Sequence, residues 1–437
     1  MKTKTYRKEK VQLVTLGCSK NLVDSENLMM QLDHNNYHVE HNPMDEHLAE
    51  IIIVNTCGFI DRAKEESIDT ILNYASLKNE GKIQKLYVTG CLSQRYKDHL
   101  EEEIPEVDAY FGTMEMPALL NKLNADYKSE LIGERILSTP SHYAYLKISE
   151  GCNRTCSFCA IPLMRGKHQS VPIEQLVIQA KSLAKQGVRE LILIAQELTY
   201  YGLDLYKKRM LAELLEELCK VDGIEWIRLH YAYPSKFPTE ILPVMREQAK
   251  ICKYLDLPLQ HISDSVLLGM KRQITKKETI ELIELIRKEV PDIALRTTML
   301  IGFPGETEEH FEELCEFIKE YQFDRLGVFQ YSHEEDTSAF AINDDVPQEL
   351  KEERARRLME IQEQISHAKN EKKVGQTMRV LVDRKENGYF VGRTEYDSPE
   401  VDNEVLISDQ NTYCRIGDFV EVRIMDYSEF DLFAEPI

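Results

Sequence analysis

The sequence predicts an α/β chain in three parts: an N-terminal parallel-sheet α/β domain over residues 9–125, a central partial (βα)6 barrel over 140–370, and a small antiparallel β-barrel over 375–437. Three observations carry that expectation. Continuous apolar runs alternate with amphipathic helical stretches, the pattern of a parallel sheet covered on both faces. Such strand–helix units recur six times through the middle of the chain. Past residue 375 the pattern changes to short strands with β-branched alternation and turn residues. At 437 residues the chain exceeds one core, since single cores stop growing near roughly 250–300 residues.

In the first part, Val11–Leu16 reads as a strand with a helix near Asn21–Leu32 behind it. Ile51–Val54 precedes a helix near Asp61–Leu77, and Leu86–Thr89 precedes a third. Cys18, Cys57 and Cys91 each stand just past one of these strands, in Leu16-Gly17-Cys18, Asn55-Thr56-Cys57-Gly58 and Thr89-Gly90-Cys91. Open parallel sheets build their sites along the carboxyl edge, so three loops there can gather thiolates that lie dozens of residues apart. Any one alone is more often a buried packing residue. Three at the same topological position read as a three-ligand iron–sulfur site.

The middle part opens with a strand at Ala144–Ser149 and the loop Cys152-Asn153-Arg154-Thr155-Cys156-Ser157-Phe158-Cys159. Thiolates hold iron–sulfur clusters, and a four-iron cube has four corners. Three ligands on one loop leave one iron open for a small molecule, which points to chemistry rather than scaffolding. A zinc site with His168 as the fourth ligand is the alternative, although structural zinc usually takes paired C-x-x-C units. Pro172 opens a helix that Gly187 closes. Strands follow at Glu190–Ala195, Trp226–Ala232, Tyr254–Leu259, Ala294–Ile301 and Arg325–Tyr331, and a charged, solvated helix spans Pro347–Lys373. The active face of such a barrel lies at the strand carboxyl ends. Gln196-Glu197, Gln260-His261 and Gly302–Thr307 end three of these strands. Their plain readings are a solvated loop carboxylate, a structural histidine and a strand-to-helix turn capped by Thr307. Cys219, Cys252, Cys315 and Cys414 have no companion spacing and read as packing residues.

In the third part the strands are Thr377–Val382, Tyr389–Thr394, Glu404–Ile407 and Phe419–Met425. Six Lys and Arg face fourteen Asp and Glu there, a net −8 that repels a polyanion unless the cations cluster. The −21 of the whole chain argues the same way and suits a basic partner. No window approaches the roughly 18 apolar residues of a membrane helix. The apolar run after the basic Met1–Lys10 is too short for a signal-peptide core. Ten cysteines without such a signal point to the reducing cytosol, so a cytoplasmic location is expected.

The C-x-x-x-C-x-x-C spacing, with Phe158 before the third cysteine, resembles the radical S-adenosylmethionine (SAM) superfamily. Joined to the three strand-end cysteines and a TRAM-like terminal barrel, it resembles the radical SAM methylthiotransferases over nearly the whole chain. Gly17–Glu26, Asn55–Asp61, Glu150-Gly151-Cys152, Met164-Arg165-Gly166, Pro258–His261 and Gly302–Thr307 resemble the branch acting on an aspartate of small-subunit ribosomal protein number twelve. The tRNA-modifying branch usually carries Gln-Met-Asn after the first Gly-Cys and a Ser-Val-Arg-like run after Asn-Thr-Cys; this chain has neither. Ser19 departs from the branch's more frequent Pro.

The resemblance implies two [4Fe-4S] clusters and two SAM. Cys152, Cys156 and Cys159 would hold the cluster that cleaves SAM to a 5′-deoxyadenosyl radical, which takes a hydrogen from the aspartate β-carbon. Cys18, Cys57 and Cys91 would hold the cluster that carries the sulfur, and a second SAM would give the methyl. Phe158, Gln196, Glu197, Gly302 and Gly305 would contact SAM. The implied partners are the ribosomal protein, free or on the ribosome, an external electron donor and a sulfur donor, with RNA met only as part of the ribosome. Two alternatives remain at this point: the same chemistry on tRNA adenosine, and a non-catalytic, metal-stabilised RNA-binding protein.

Overall fold

The computed structural model describes residues 9–43, 48–131, 133–410 and 412–437. The chain divides into two compact units. The first runs to Thr139 and adds Tyr145–Asn153 and Ala160–Ser182; the second holds Pro140–Ala144, Arg154–Cys159 and Leu183–Ile437.

The first unit begins β1 (Lys10–Thr15), α1 (Ser19–His34), β2 (His38–His41), β3 (Ile51–Thr56), α2 (Asp61–Asn79), β4 (Lys85–Gly90), α3 (Cys91–Glu103), β5 (Ala109–Tyr110) and α4 (Met116–Lys122). The strands pair in parallel in the order β2-β1-β3-β4-β5. β3 is buried at every position because the sheet is covered on both faces. Its pleat sends Ile51 and Ile53 towards Leu28 and Leu32 of α1 and Leu119 and Leu120 of α4. Ile52 and Val54 go the other way, towards Ile71 and Ala75 of α2 and Leu92 and Leu100 of α3. Each such side chain adds about 1.5–3 kcal/mol of burial. The order reverses between β1 and β3, the switch point at which open α/β sheets place their ligands. β2 and β5 are absent from the sequence expectation. His38-Val39-Glu40-His41 is a polar edge and β5 has two residues, so neither shows an apolar run.

Next come β6 (Tyr143–Lys147), β7 (Ser149–Glu150), α5 (Ile161–Arg165), β8 (Gln169–Ser170) and α6 (Ile173–Lys185), with β7 and β8 antiparallel. The second unit continues with β9 (Glu190–Ile194), α7 (Leu211–Cys219), β10 (Trp226–Leu229), α8 (Ile241–Glu247), β11 (Ile251–Asp256), α9 (Asp264–Gly269), α10 (Lys276–Glu289), β12 (Ala294–Ile301), α11 (Glu308–Tyr321), β13 (Arg325–Gln330) and α12 (Gln348–Glu371). β9 to β13 pair in parallel in chain order, the arrangement of an open βα barrel. β6, whose Tyr143 and Ala144 belong to this unit, is the sixth strand of the sheet. β11 ends before the expected Leu259 because Pro258 has no N–H for the ladder. Pairing resumes at Gln260, which bridges Met299 with φ at 76°.

β14 (Thr377–Glu386), β15 (Tyr389–Arg393), β16 (Val405–Ser408), β17 (Phe419–Tyr427) and β18 (Leu432–Pro436) close a barrel in the order β14-β15-β16-β18-β17. Val380, Val382, Phe390, Ile407, Val422 and Ile424 fill it. β18 is a fifth strand the sequence did not announce, and its seam with β16 is parallel while the others are antiparallel. The stretch after β15 lies against the parallel sheet through polar contacts. Arg228 Nε donates to Glu190 Oε1 at 2.8 Å, and its Nη1 donates to the Glu395 carbonyl at 2.6 Å. Arg393 reaches Glu190 Oε2 at 2.8 Å, Arg325 pairs with Asp397, and Tyr254 donates to Asp402 at 2.7 Å. Asp383, Asp397 and Asp402 are thus turned inward on Arg393, Arg325 and Arg296. Three of the fourteen carboxylates counted from composition are therefore not on offer to any partner.

Candidate functional site

The carboxyl edge of the first sheet brings its three cysteine loops together. Cys18 stands at the N-terminus of α1 directly after β1, Cys57 follows β3, and Cys91 opens α3 after β4. Cys18 and Cys57 therefore flank the switch point. Glycine makes the approach possible at two places. A Cβ on Gly17 (φ +88°) would lie 2.7 Å from Cys57 Cβ and 2.9 Å from its Sγ. One on Gly90 (φ +102°) would lie 2.5 Å from both Asn55 Oδ1 and the Thr56 carbonyl. Ser67 of α2 clamps the middle loop, accepting from Cys57 N–H at 3.0 Å and donating to its carbonyl at 2.8 Å.

Burial sets the electrostatics of the thiols. Burial pushes Cys91 up to about 12, with Cys18 and Cys57 adding to the rise and Arg165 opposing it. Burial also raises Cys57, and Cys18 contributes. Thiols held this high keep their protons until a cation displaces them. The N-termini of α1 and α3 supply partial positive charge at Cys18 and Cys91. Among the described residues, no three His, Cys, Asp or Glu side chains stand at the spacing that holds a single metal ion. A four-iron cube is wider than an ion. Three cysteine loops drawn to one sheet edge by tight glycine turns fit such a cube with one corner left open.

The C-x-x-x-C-x-x-C loop is divided between the units. In the first, Cys152 N–H donates to the Gly166 carbonyl at 3.1 Å, and His168 Nε2 lies 3.1 Å from Ser170 Oγ. In the second, Cys159 N–H donates to the Cys156 carbonyl at 3.3 Å, and Phe158 packs against Val266, Met270 and Phe303. Cys156 Sγ accepts from Arg272 Nη1 at 3.4 Å and lies 3.5 Å from Tyr233 Oη. The guanidinium groups of Arg154 and Arg272 stand 3.8 and 4.1 Å from the Tyr233 ring centre. Arg272 thus contacts the loop's middle thiol directly, a favourable setting for anionic sulfur, while Arg154 stacks on the Tyr233 ring and pairs with Glu197. Sequence reasoning missed Arg154, Tyr233 and Arg272; only Arg154 lay inside a motif.

The other singled-out residues stand at strand carboxyl ends of the second unit. Gln196 follows β9. Glu197 is fully engaged, accepting from Arg154 Nε at 3.2 Å and from Thr199 N and Oγ1 at 2.7 and 2.5 Å. Gly302 (φ +70°) donates to Glu306 Oε2 at 2.9 Å, and Gly305 (φ +81°) donates to Asp345 Oδ1 at 2.8 Å. Open space lies where a Gly305 side chain would be. Thr307 caps α11, as its sequence position suggests. Cys252, Cys315 and Cys414 are buried and Cys219 is half-buried, with burial raising the thiol value of each. They pack, as expected.

The uncharacterized protein family UPF0004 matches residues 10–112, the radical SAM superfamily residues 146–318, and the TRAM domain residues 374–437. The ribosomal protein uS12 methylthiotransferase RimO of Cytophaga hutchinsonii is 61% identical over 437 residues, covering 100% of both chains. The enzyme of that name from Flavobacterium johnsoniae is 58% identical over 436 residues, again 100% of both. That of Phocaeicola vulgatus is 53% identical over 429 residues, 98% of this chain and 99% of its own. Among solved structures, the radical SAM methyltransferase TsrM from Kitasatospora setae aligns with a TM-score of 0.55 at 16% identity, over 73% of this chain and 72% of that one. The cobalamin-dependent radical SAM enzyme OxsB aligns at 0.52 and 16%, over 82% and 56%. These two likenesses are of fold. No helix among the described residues is long and apolar enough to cross a membrane.

Proposed function

The chain belongs to the RimO family of radical SAM methylthiotransferases, and on that premise we propose that it adds a methylthio group to the β-carbon of an aspartate in small-subunit ribosomal protein uS12. The observation that carries the reading is that the loops of Cys18, Cys57 and Cys91 stand at one sheet edge and share the side chain of Asn21. Cleaving SAM needs one three-cysteine loop, and Cys152, Cys156 and Cys159 supply it by their spacing. A second set of three thiols is what sulfur transfer adds. When bound, the two clusters and SAM supply the electron, the radical, the sulfur and the methyl group.

The residues of this chain hold and screen. Cys18, Cys57 and Cys91 would each give up a thiol proton as they bind iron. Arg272 would stabilise negative charge at Cys156, and Arg154 would hold the Tyr233 ring beside it. Phe158 and the turn Gly302–Gly305 would line the SAM site with apolar surface and close backbone, beside Gln196. Glu197, already held by Arg154 and Thr199, would act by fixing Arg154. The reactive aspartate is on the partner, so no carboxylate here need be a catalytic base. The electron and sulfur donors are external, and the setting is the cytoplasm in which ribosomes are found.

Mass spectrometry of ribosomal protein and tRNA offered side by side, after anaerobic incubation with SAM, reductant and sulfide, tests the reading. A methylthio gain on an aspartate of uS12 supports it. A gain on tRNA alone overturns the substrate, and zinc or a single cluster in stoichiometric yield overturns the two-cluster chemistry.

A further inference from the structure

We infer that Asn21 and Arg165 are the positioning pair of the Cys18–Cys57–Cys91 site: Asn21 ties the three cysteine loops to one another, and Arg165 fixes Asn21 and supplies the site's buried positive charge. The inference rests on the proposed two-cluster reading and adds to it two residues that are not ligands.

Asn21 is fully buried near the start of α1, and every polar atom of its side chain is committed to a cysteine loop or to Arg165. Its Nδ2 donates to the Leu16 carbonyl, two residues before Cys18, at 2.9 Å. The same nitrogen donates to the Thr56 carbonyl, one residue before Cys57, at 2.9 Å. With both amide protons spent, the amide cannot flip, and Oδ1 is turned to the third loop, where Cys91 Sγ lies 3.7 Å away. The backbone is held as well, since Asn55 Nδ2 donates to the Asn21 carbonyl at 3.0 Å. One carboxamide thus touches all three loops.

Arg165 arrives at the end of α5, which packs on Cys91 through Ala160, Ile161 and Met164 and is anchored by Thr113 Oγ1 donating to the Met164 carbonyl at 2.7 Å. Its Nη2 donates to Asn21 Oδ1, and its Nη1 donates to Asp24 Oδ2 at 2.6 Å and to Glu150 Oε2 at 3.4 Å. Lys147 pairs with the same two carboxylates. Two cations therefore balance two carboxylates before any thiolate forms, and the guanidinium is the member in contact with the thiol site through Asn21. The Cys91 sulfur faces an amide oxygen backed by the guanidinium. In so dry a place the charge acts at little screening and raises the reduction potential of a bound cluster.

The test uses full-length chain, anaerobically reconstituted, with Asn21→Ala, Arg165→Gln and Arg165→Lys. Clusters are counted by iron, sulfide and Mössbauer spectroscopy, potentials are read by EPR-monitored titration, and 5′-deoxyadenosine is measured beside methylthio transfer. Expected for Asn21→Ala and Arg165→Gln is a drop of about tenfold or more in occupancy of the second cluster or in transfer, with SAM cleavage kept within about twofold. In Arg165→Gln the remaining second cluster moves to more negative potential, and Arg165→Lys, keeping the charge, restores it. Should Asn21→Ala not fold, the Arg165 pair carries the test. Two clusters with unchanged spectra and potential in Arg165→Gln overturn the inference, as does a parallel fall of SAM cleavage and transfer. A wild-type chain holding one cluster instead overturns the reading beneath it.

Discussion

Glu306 and His261 lie 3.6 Å apart, Oε2 to Nε2, with neither side chain reached by solvent. Burial, partly offset by Arg354, raises the Glu306 carboxyl to about 7. Burial, with His310 and Arg354 adding to it, lowers His261 to about 3. A carboxyl with a raised folded value keeps a proton that the unfolded chain has lost, so its contribution to stability falls as pH rises from 4.5 to about 7. A histidine with a lowered value does the reverse, adding stability as pH rises from about 3 to 6.5. Where the windows overlap, the two slopes oppose. His261→Asn should therefore lose about 3 kcal/mol between pH 4.5 and 6.5, whereas Glu306→Gln should gain stability over that range. Denaturant midpoints at several pH values check this, and parallel profiles for the two variants would refute it.

Glu190 sits between Arg228 and Arg393, all three sealed from water. Glu190→Gln leaves two buried guanidinium groups short of a counter-charge and should cost about 3–5 kcal/mol in urea unfolding. A loss below about 1 kcal/mol would mean that the carbonyls of Thr394 and Glu395 suffice for Arg228.

Cys156→Ala should abolish 5′-deoxyadenosine formation. Cys57→Ala should retain it and transfer no sulfur, because in the proposed function the two thiols serve different clusters. Equal loss of SAM cleavage in both variants would contradict that division.

Gly17→Ala forces a side chain to φ +88° and against Cys57. The strain is about 1–2 kcal/mol, and its release by shifting the loop should lower second-cluster iron while the unfolding midpoint moves little. Full cluster occupancy in this variant would show that the loop can yield without losing the site.

The placement of the cysteines was legible in sequence because it is local. Strand-end cysteines follow apolar runs and glycines, and the cysteine loop is contiguous. The strand order was not legible, since β2 is a polar edge without periodicity. Arg165 stood in a singled-out motif, yet its role depends on Asn21 and Asp24, 144 and 141 residues away. The net charge of the terminal barrel was counted correctly, but composition cannot tell a carboxylate facing a partner from Asp397 folded onto Arg325.

The contacts of residues 393–403 with the parallel sheet also set an order of events in synthesis. Arg228, Arg296 and Arg325 are made early; Glu190 and Asp256 serve the first two at once, but the Glu395 carbonyl, Asp402 and Asp397 come from this later stretch. A nascent polypeptide that ends before residue 393 holds these cations without part of their counter-charge, so the central sheet reaches full stability only once residues 393–403 have been made. Truncation at Lys373 should accordingly leave a product cleaved readily by protease under conditions in which the full chain resists. Unchanged resistance would show that the sheet matures without its tail.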